Sequence, residues 1–383
     1  MAADEKGPAM TKSSEGATVV ALLADPDAPT EVAQRIARRL PDRLAKKSGE
    51  ERQFDVTVVS EPITAGAAED PPTVMRRIME RANGEDWDIV VALTDLPLHS
   101  HGRKLVVDLS YEYSLALLSL PSLGGWRQET RALRAVEKAV LSLAGRRDAE
   151  AEEETRGAPL QRPFDEPLAP VRPDPFVEDE SADLRYITGG PRGYMRVLGG
   201  MVRANRPWRL VPGLSKGLAA ALATGAVATV NGTMWSLAVT LSTPRLVIAM
   251  VGSVALMIIW LIVDAHLWHR KSEVSPEAWQ RAVLYNASTV LTVGIGVLVC
   301  YVGLLVINLA WAYFILTGQV FAMFARTQLH AGEYLTLAWL VASVATVGGA
   351  LGSSLESDEA IRAAAYSKRE QQRRERLQKH RGD

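Results

Sequence analysis

LVIAMVGSVALMIIWLIVDAHLW, residues 246–268, is the stretch that decides the architecture. Its first eighteen residues, 246–263, carry no charged side chain. A helix needs about 20 apolar residues to cross roughly 30 Å of hydrocarbon, so this segment reads as a membrane span. Working outward, Gly217–Leu241 precedes it across a short turn holding Pro244 and Arg245, and Val283–Leu316 and Tyr334–Leu355 follow. Four spans are expected. The third is too long for one perpendicular crossing and must tilt or run past the interface.

Charge sets the expected orientation. A basic cluster (Arg192, Arg196, Arg203, Arg206, Arg209, Lys216) precedes the first span. Arg245 alone follows it, then Arg270, Lys271 and Arg281, then Arg326 alone, then a basic tail over 356–383. Basic and nearly neutral flanks alternate as four spans require with both termini in the cytoplasm. Two spans within 283–325 would make five and carry the basic tail outside, so 317–330 is expected to lie at the outer interface.

Before the spans, residues 191–216 mix arginines with Tyr194, Met195, Leu198, Met201 and Trp208. This pattern suits the headgroup layer of an anionic bilayer, and Pro207 and Pro212 forbid one continuous helix. Residues 146–190 hold a charged run and six prolines between Pro159 and Pro175. They are expected to be an extended linker.

The first half has α/β character. Residues 1–16 read as a polar lead-in and 17–145 as one domain. Strands are expected at 18–23, 54–59, 87–94, 105–109 and 114–120, the last two as a hairpin. Helices are expected at 31–47, from Pro71, and at 130–143. The fold class is thus a soluble α/β domain joined to an all-α four-helix membrane domain. The chain has 383 residues, a net charge of -1 and one cysteine, Cys300. One cysteine excludes an intrachain disulfide framework and any Cys-rich zinc site. No basic, apolar and small-residue leader opens the sequence, so the α/β domain is expected on the cytoplasmic side.

Chemistry is sparse. Neither G-x-x-x-x-G-K-[ST] nor a strand-borne G-x-G-x-x-G occurs, and nothing indicates nucleic acid. In a mainly parallel sheet, Asp25, Asp27 and Asp95 fall at strand C-terminal ends, where open α/β sheets bind ligands. His99 and His101 follow closely, and carboxylates with imidazoles suit a divalent metal. The plainer reading is equally simple: Asp27 or Thr30 caps a helix, and His99–Gly102 is a polar loop. In the spans, Asp264 and His266 lie at a predicted cytoplasmic end, where an interfacial ion pair is the plain reading. Gly348 and Gly352 form a small-xxx-small pair for close helix packing, within the chain or between copies.

Two resemblances add expectations. The order of elements from Asp88 to Gly145 resembles that of archaemetzincins, zinc metalloproteases whose closing helix carries H-E-x-x-H. The corresponding helix, Arg131–Gly145, has no histidine, so the resemblance implies an inactive scaffold. The last span and tail, from Tyr334-Leu-Thr-Leu-Ala-Trp339 through Gly348 to Tyr366, resemble uncharacterised bacterial membrane proteins, some labelled methylene-tetrahydrofolate dehydrogenase. That resemblance implies a bacterial plasma membrane; the label would imply a dinucleotide site, for which no fingerprint is present. The expected function is a non-enzymatic membrane protein whose cytoplasmic domain binds a ligand or a protein, its cofactor unknown and a homo-oligomer one option. Two alternatives stand beside it. One is a membrane-anchored enzyme or metal binder using Asp25, Asp95 and His99. The other is an oligomeric transport or channel component.

Overall fold

A computed structural model describes residues 17–48, 53–63, 70–100, 103–151, 171–174, 182–268, 276–325 and 330–355. The chain divides into two compact units, 1–204 and 205–383.

In the first unit the order is β1 (Thr18–Ala24), α1 (Ala28–Ala37), α2 (Leu40–Ser48), β2 (Phe54–Ser60), α3 (Pro71–Ala82) and β3 (Ile89–Thr94). Then come β4 (His99–Ser100), β5 (Arg103–Ser110), β6 (Leu115–Ser119), a 3₁₀ turn (Pro121–Leu123) and α4 (Gln128–Ala151). β7 (Val171–Pro173), β8 (Leu184–Thr188) and α5 (Gly190–Asn205) complete it. The sheet order is β2-β1-β3-β6-β5-β8-β7, with β4 paired to β5. β2, β1, β3 and β6 are parallel, whereas β5, β8 and β7 run antiparallel to their neighbours.

Side-chain alternation along β1 builds both faces. Val20, Leu22 and Ala24 join Ile36, Leu40, Leu44, Val136 and Val140 from α1, α2 and α4. Ala21 and Leu23 join Val74, Met75 and Ile78 of α3 on the other side. Such period-two burial on both faces explains why β1 reads as a continuous apolar run. β1 connects to β2 on one side, and β3 returns on the other. The β1–β3 boundary is therefore the topological switch point.

Three expectations for this unit change. The helix read over 31–47 is two helices, parted at Arg38 and Arg39 and restarted by Leu40-Pro41. Proline suits a first helical turn and disrupts an interior. Residues 146–190 are not wholly linker: α4 runs to Ala151, and β7 and β8 extend the sheet. What recruits β8 is a buried ion pair. Arg185, 2 % exposed, donates from Nη2 to Asp108, 0 % exposed, at 2.8 Å and from Nη1 to Ser100 Oγ at 3.1 Å. Finally, α5, part of the stretch read as interfacial, clusters with this unit through 204. The lead-in and most of the acidic, proline-rich stretch fall outside the described residues.

The second unit contains a 3₁₀ turn (Pro207–Arg209), α6 (Leu210–Gly213), α7 (Ser215–Thr229), α8 (Gly232–Thr240), α9 (Thr243–Asp264), α10 (Pro276–Ile315), α11 (Gly318–Ala325) and α12 (Ala331–Ser353). Three of its helices, within α9, α10 and α12, are long and apolar enough to cross a membrane; a bent pair, 190–213 with 215–229, would make a fourth if it is one span. The first expected span, Gly217–Leu241, is not one helix. It breaks at Val230 and Asn231. The Asn231 side chain accepts from Thr233 N at 2.8 Å, and Trp235 Nε1 donates to Thr229 O at 2.7 Å. Both bonds occupy backbone groups that the break would strand. α12 is the axis of the unit, with buried residues from Leu337 to Ser353 packed on α7, α9 and α10.

Candidate functional site

The switch point brings Asp25, Asp27 and Asp95 to one end of the sheet, as their positions after β1 and β3 require. Their roles differ. Asp25 is fully buried and acts as a crosslink: Oδ1 accepts from Ile63 N at 2.8 Å and Oδ2 from Thr94 Oγ1 at 2.7 Å. Its own carbonyl oxygen accepts from Thr30 N and Thr30 Oγ1. One carboxylate thus ties the ends of β1 and β3 to the segment after β2. Thr30 serves this crosslink, and its hydroxyl also meets Ser60 Oγ at 2.7 Å.

Asp27 sits at the N-cap of α1, but its side chain does not cap the helix. Its backbone lies at φ 75° and ψ -121°, outside the left-handed helical basin and in territory that favours glycine. A non-glycine residue held there stores about 1–3 kcal/mol, and such residues gather at binding sites. Asp27 is partly exposed. Asp95 is buried. His99 lies on β4, paired with Lys104 of β5. His101 lies outside the described residues. Among the described residues, no group of three or more His, Cys, Asp or Glu is arranged to hold a metal ion.

At the same end of the sheet, burial pulls the Lys104 ammonium below its ordinary value. Its Nζ lies 5.4 Å from the centre of the Tyr194 ring, a cation–π distance. This contact ties β5 to α5.

The six basic residues expected at the membrane surface separate into two groups. Arg192, Arg196 and Arg203 lie on α5, where Arg192 and Arg203 are exposed and Arg196 packs over Gly124. In the second unit, Arg206 takes a left-handed φ of 51° before the Pro207 turn, Arg209 ends that turn, and Lys216 Nζ donates to Leu355 O at 2.7 Å. His266 Nδ1 lies 2.9 Å from Asp264 O, a local contact to the backbone.

Gly348 and Gly352 pack inside the chain. A Cβ at Gly348 would lie 2.3 Å from Thr224 Oγ1, and one at Gly352 would lie 2.3 Å from the Ala220 methyl. Both partners belong to α7. Small residues let the two backbones approach.

Sequence reasoning missed the segment Gly124-Gly125-Trp126-Arg127. It follows the 3₁₀ turn, with Gly124 at φ 89° and Arg127 at φ 52°. Trp126 is 79 % exposed. The signal was there: paired glycines before an aromatic and a cation, at the end of an apolar strand. No protein family, curated protein or solved structure matches the chain.

Proposed function

We propose that this chain is a multi-pass membrane protein with four spans and both termini cytoplasmic, whose α/β domain holds a ligand or a partner protein at the membrane surface without turnover. The observation that carries the binding role is Asp27. It is a partly exposed acid held in a glycine-like conformation at the switch point, beside a carboxylate already spent on structure. Asp25 has both oxygens engaged by Ile63 and Thr94, which suits a frame better than an acid or base. The alternating basic and neutral flanks support the orientation. The apolar helices α7 and α8, on either side of the break at Asn231, support the fourth span.

The test is thermal unfolding of the full chain in nanodiscs against divalent metals, nucleotides and folates. A ligand that binds only the native state raises apparent stability by about 2.7 kcal/mol at a hundredfold excess over Kd. A shift that disappears in Asp27→Ala supports the crevice as the binding face. A shift indifferent to that substitution, or none across the panel, counts against it and directs the search to protein partners.

A further inference from the structure

The exposed surface around Trp126 has no role in the crevice. Trp126 is 79 % exposed and Met195, on α5, is 71 % exposed. These are the two most exposed large apolar side chains of the α/β unit among the described residues. Neither sits on a loose segment. Gly124 N donates to Pro121 O, Gln128 Nε2 to Leu120 O and Arg131 Nη1 to Leu123 O, pinning the loop on both sides.

α5 is locked to the same loop. A Cβ on Gly200 would lie 2.2 Å from Pro121 O, and one on Gly125 would lie 2.5 Å from Gly199 O. Only glycines permit this approach. Arg192, Met195, Gly199 and Arg203 follow helical spacing along one face of α5, and the loop crosses it at Gly199. Trp126 and Arg127 therefore adjoin a stripe with arginines at both ends and methionine between.

Charge identifies the occupant. No aspartate or glutamate occurs from 184 to 263. The nearest acid beyond the loop, Glu129, pairs with Arg35 at 2.9 Å and Arg39 at 3.8 Å. An aromatic and a thioether set among arginines match the headgroup layer of an anionic bilayer, where tryptophan rings anchor and arginines meet phosphates. Nine residues separate Asn205 from the apolar α7, so the tether keeps α5 at high effective concentration beside any bilayer that holds those helices.

We propose that the Gly124–Arg127 loop and the exposed face of α5 form one docking surface by which the α/β domain rests on anionic lipid. This rests on the reading that the apolar helices are embedded in a membrane. Docking would hold the strand-end crevice at the lipid surface and orient whatever it binds.

Nitroxide labels test it in the full chain with Cys300→Ser, reconstituted in phosphatidylcholine nanodiscs with and without phosphatidylglycerol. Labels go at Trp126→Cys, Met195→Cys, Tyr113→Cys and Ile307→Cys. Tyr113 lies in the β5–β6 turn at the opposite end of the strands, and Ile307 is exposed on α10. The expected result is loss of nickel-chelate access and gain of oxygen access at 126 and 195 with the anionic lipid, while 113 stays aqueous and 307 stays in lipid. Trp126→Ala should restore chelate access at 195. Aqueous labels at 126 and 195 with 307 in lipid overturn the docking and leave the membrane reading intact. An aqueous label at 307 overturns both. Protection at 126 and 195 in detergent alone, with spin–spin broadening, overturns it in favour of contact between copies.

Discussion

Asp27 and Glu137 show how single residues report on the two halves of the α/β argument. Asp27 holds φ 75° and ψ -121°, a conformation in which a Cβ is a liability. Asp27→Gly should stabilise the domain by about 1 kcal/mol, strain relief exceeding the entropy glycine adds to the unfolded chain. Denaturant unfolding measures it, and a loss of stability would mean that the aspartate side chain holds the fold. Glu137 is a different case, a carboxylate 1 % exposed on α4 that accepts from Arg43 at 2.5 Å and also pairs with Lys47. Burial pushes its carboxyl up, but the hydrogen bonds from Lys47 and Arg43 carry it below its ordinary 4.5. A depressed folded pKa contributes stability that is full above 4.5 and is lost as pH falls through the folded value. Glu137→Gln should therefore flatten the acid limb of a stability–pH curve below about pH 4.5; an unchanged limb would sink this account. Asp25 and Asp95 were legible as strand-end residues because the apolar runs end there. That Asp25 is consumed by Ile63 N and Thr94 was not, since both partners come from other strands' ends.

At the scale of elements, the sequence announced what local pattern controls and concealed what distant partners control. β1, β3, the β5–β6 hairpin and α4 follow from alternation and spacing alone. β8 does not: Leu184–Thr188 lies in an acidic, proline-rich neighbourhood, and its place depends on Arg185 meeting Asp108 seventy-seven residues away. Breaking a buried pair costs about 3–5 kcal/mol because it strands a charge, whereas replacing both partners by apolar groups is often neutral. Arg185→Ala should accordingly lower unfolding stability by about that much, and the double change Asp108→Leu with Arg185→Met should recover most of it. Equal losses in the two variants would mean that packing, not charge, holds β8. The break between α7 and α8 was signalled by Asn231-Gly232, a turn-forming pair, but was masked by the apolar average around it. Glycines on α12 make a sharper test. Gly352→Leu collides with Ala220, whereas Gly303 on α10 has nothing within 4 Å of its would-be Cβ. The first change should cut detergent-solubilised thermal stability and the second should leave it within about 0.5 kcal/mol. Loss of self-association in Gly352→Leu without loss of stability would instead assign that face to contacts between copies.

For the whole molecule, the length of α10 converts composition into topology. Forty residues, Pro276–Ile315, make a helix about 60 Å long at 1.5 Å per residue. A bilayer with its headgroups is about 40–45 Å thick, so one end must emerge into water. The N-terminal end is the polar one: Pro276-Glu277-Ala278-Trp279-Gln280-Arg281, with Trp279 and Gln280 exposed. In the topology proposed above, basic flanks stay on the cytoplasmic side, which would make this the cytoplasmic end, Arg270 and Lys271 preceding it in the sequence. In that topology the turn at Ser242 and the start of α12 at His330, where the backbone N–H donates to Glu333 at 2.9 Å, would face the opposite side. Cysteines at Trp279, Ser242 and His330, placed in Cys300→Ser, can be probed with an impermeant maleimide in right-side-out cells or vesicles. Ser242→Cys and His330→Cys should label before permeabilisation and Trp279→Cys only after it. The opposite pattern would invert the molecule and place the α/β domain outside. Labelling of 242 and 330 on different sides would mean an odd number of crossings between them, so that either α9 or α10 does not span or the stretch between α10 and α12 adds a crossing, and the four-span arrangement would fall.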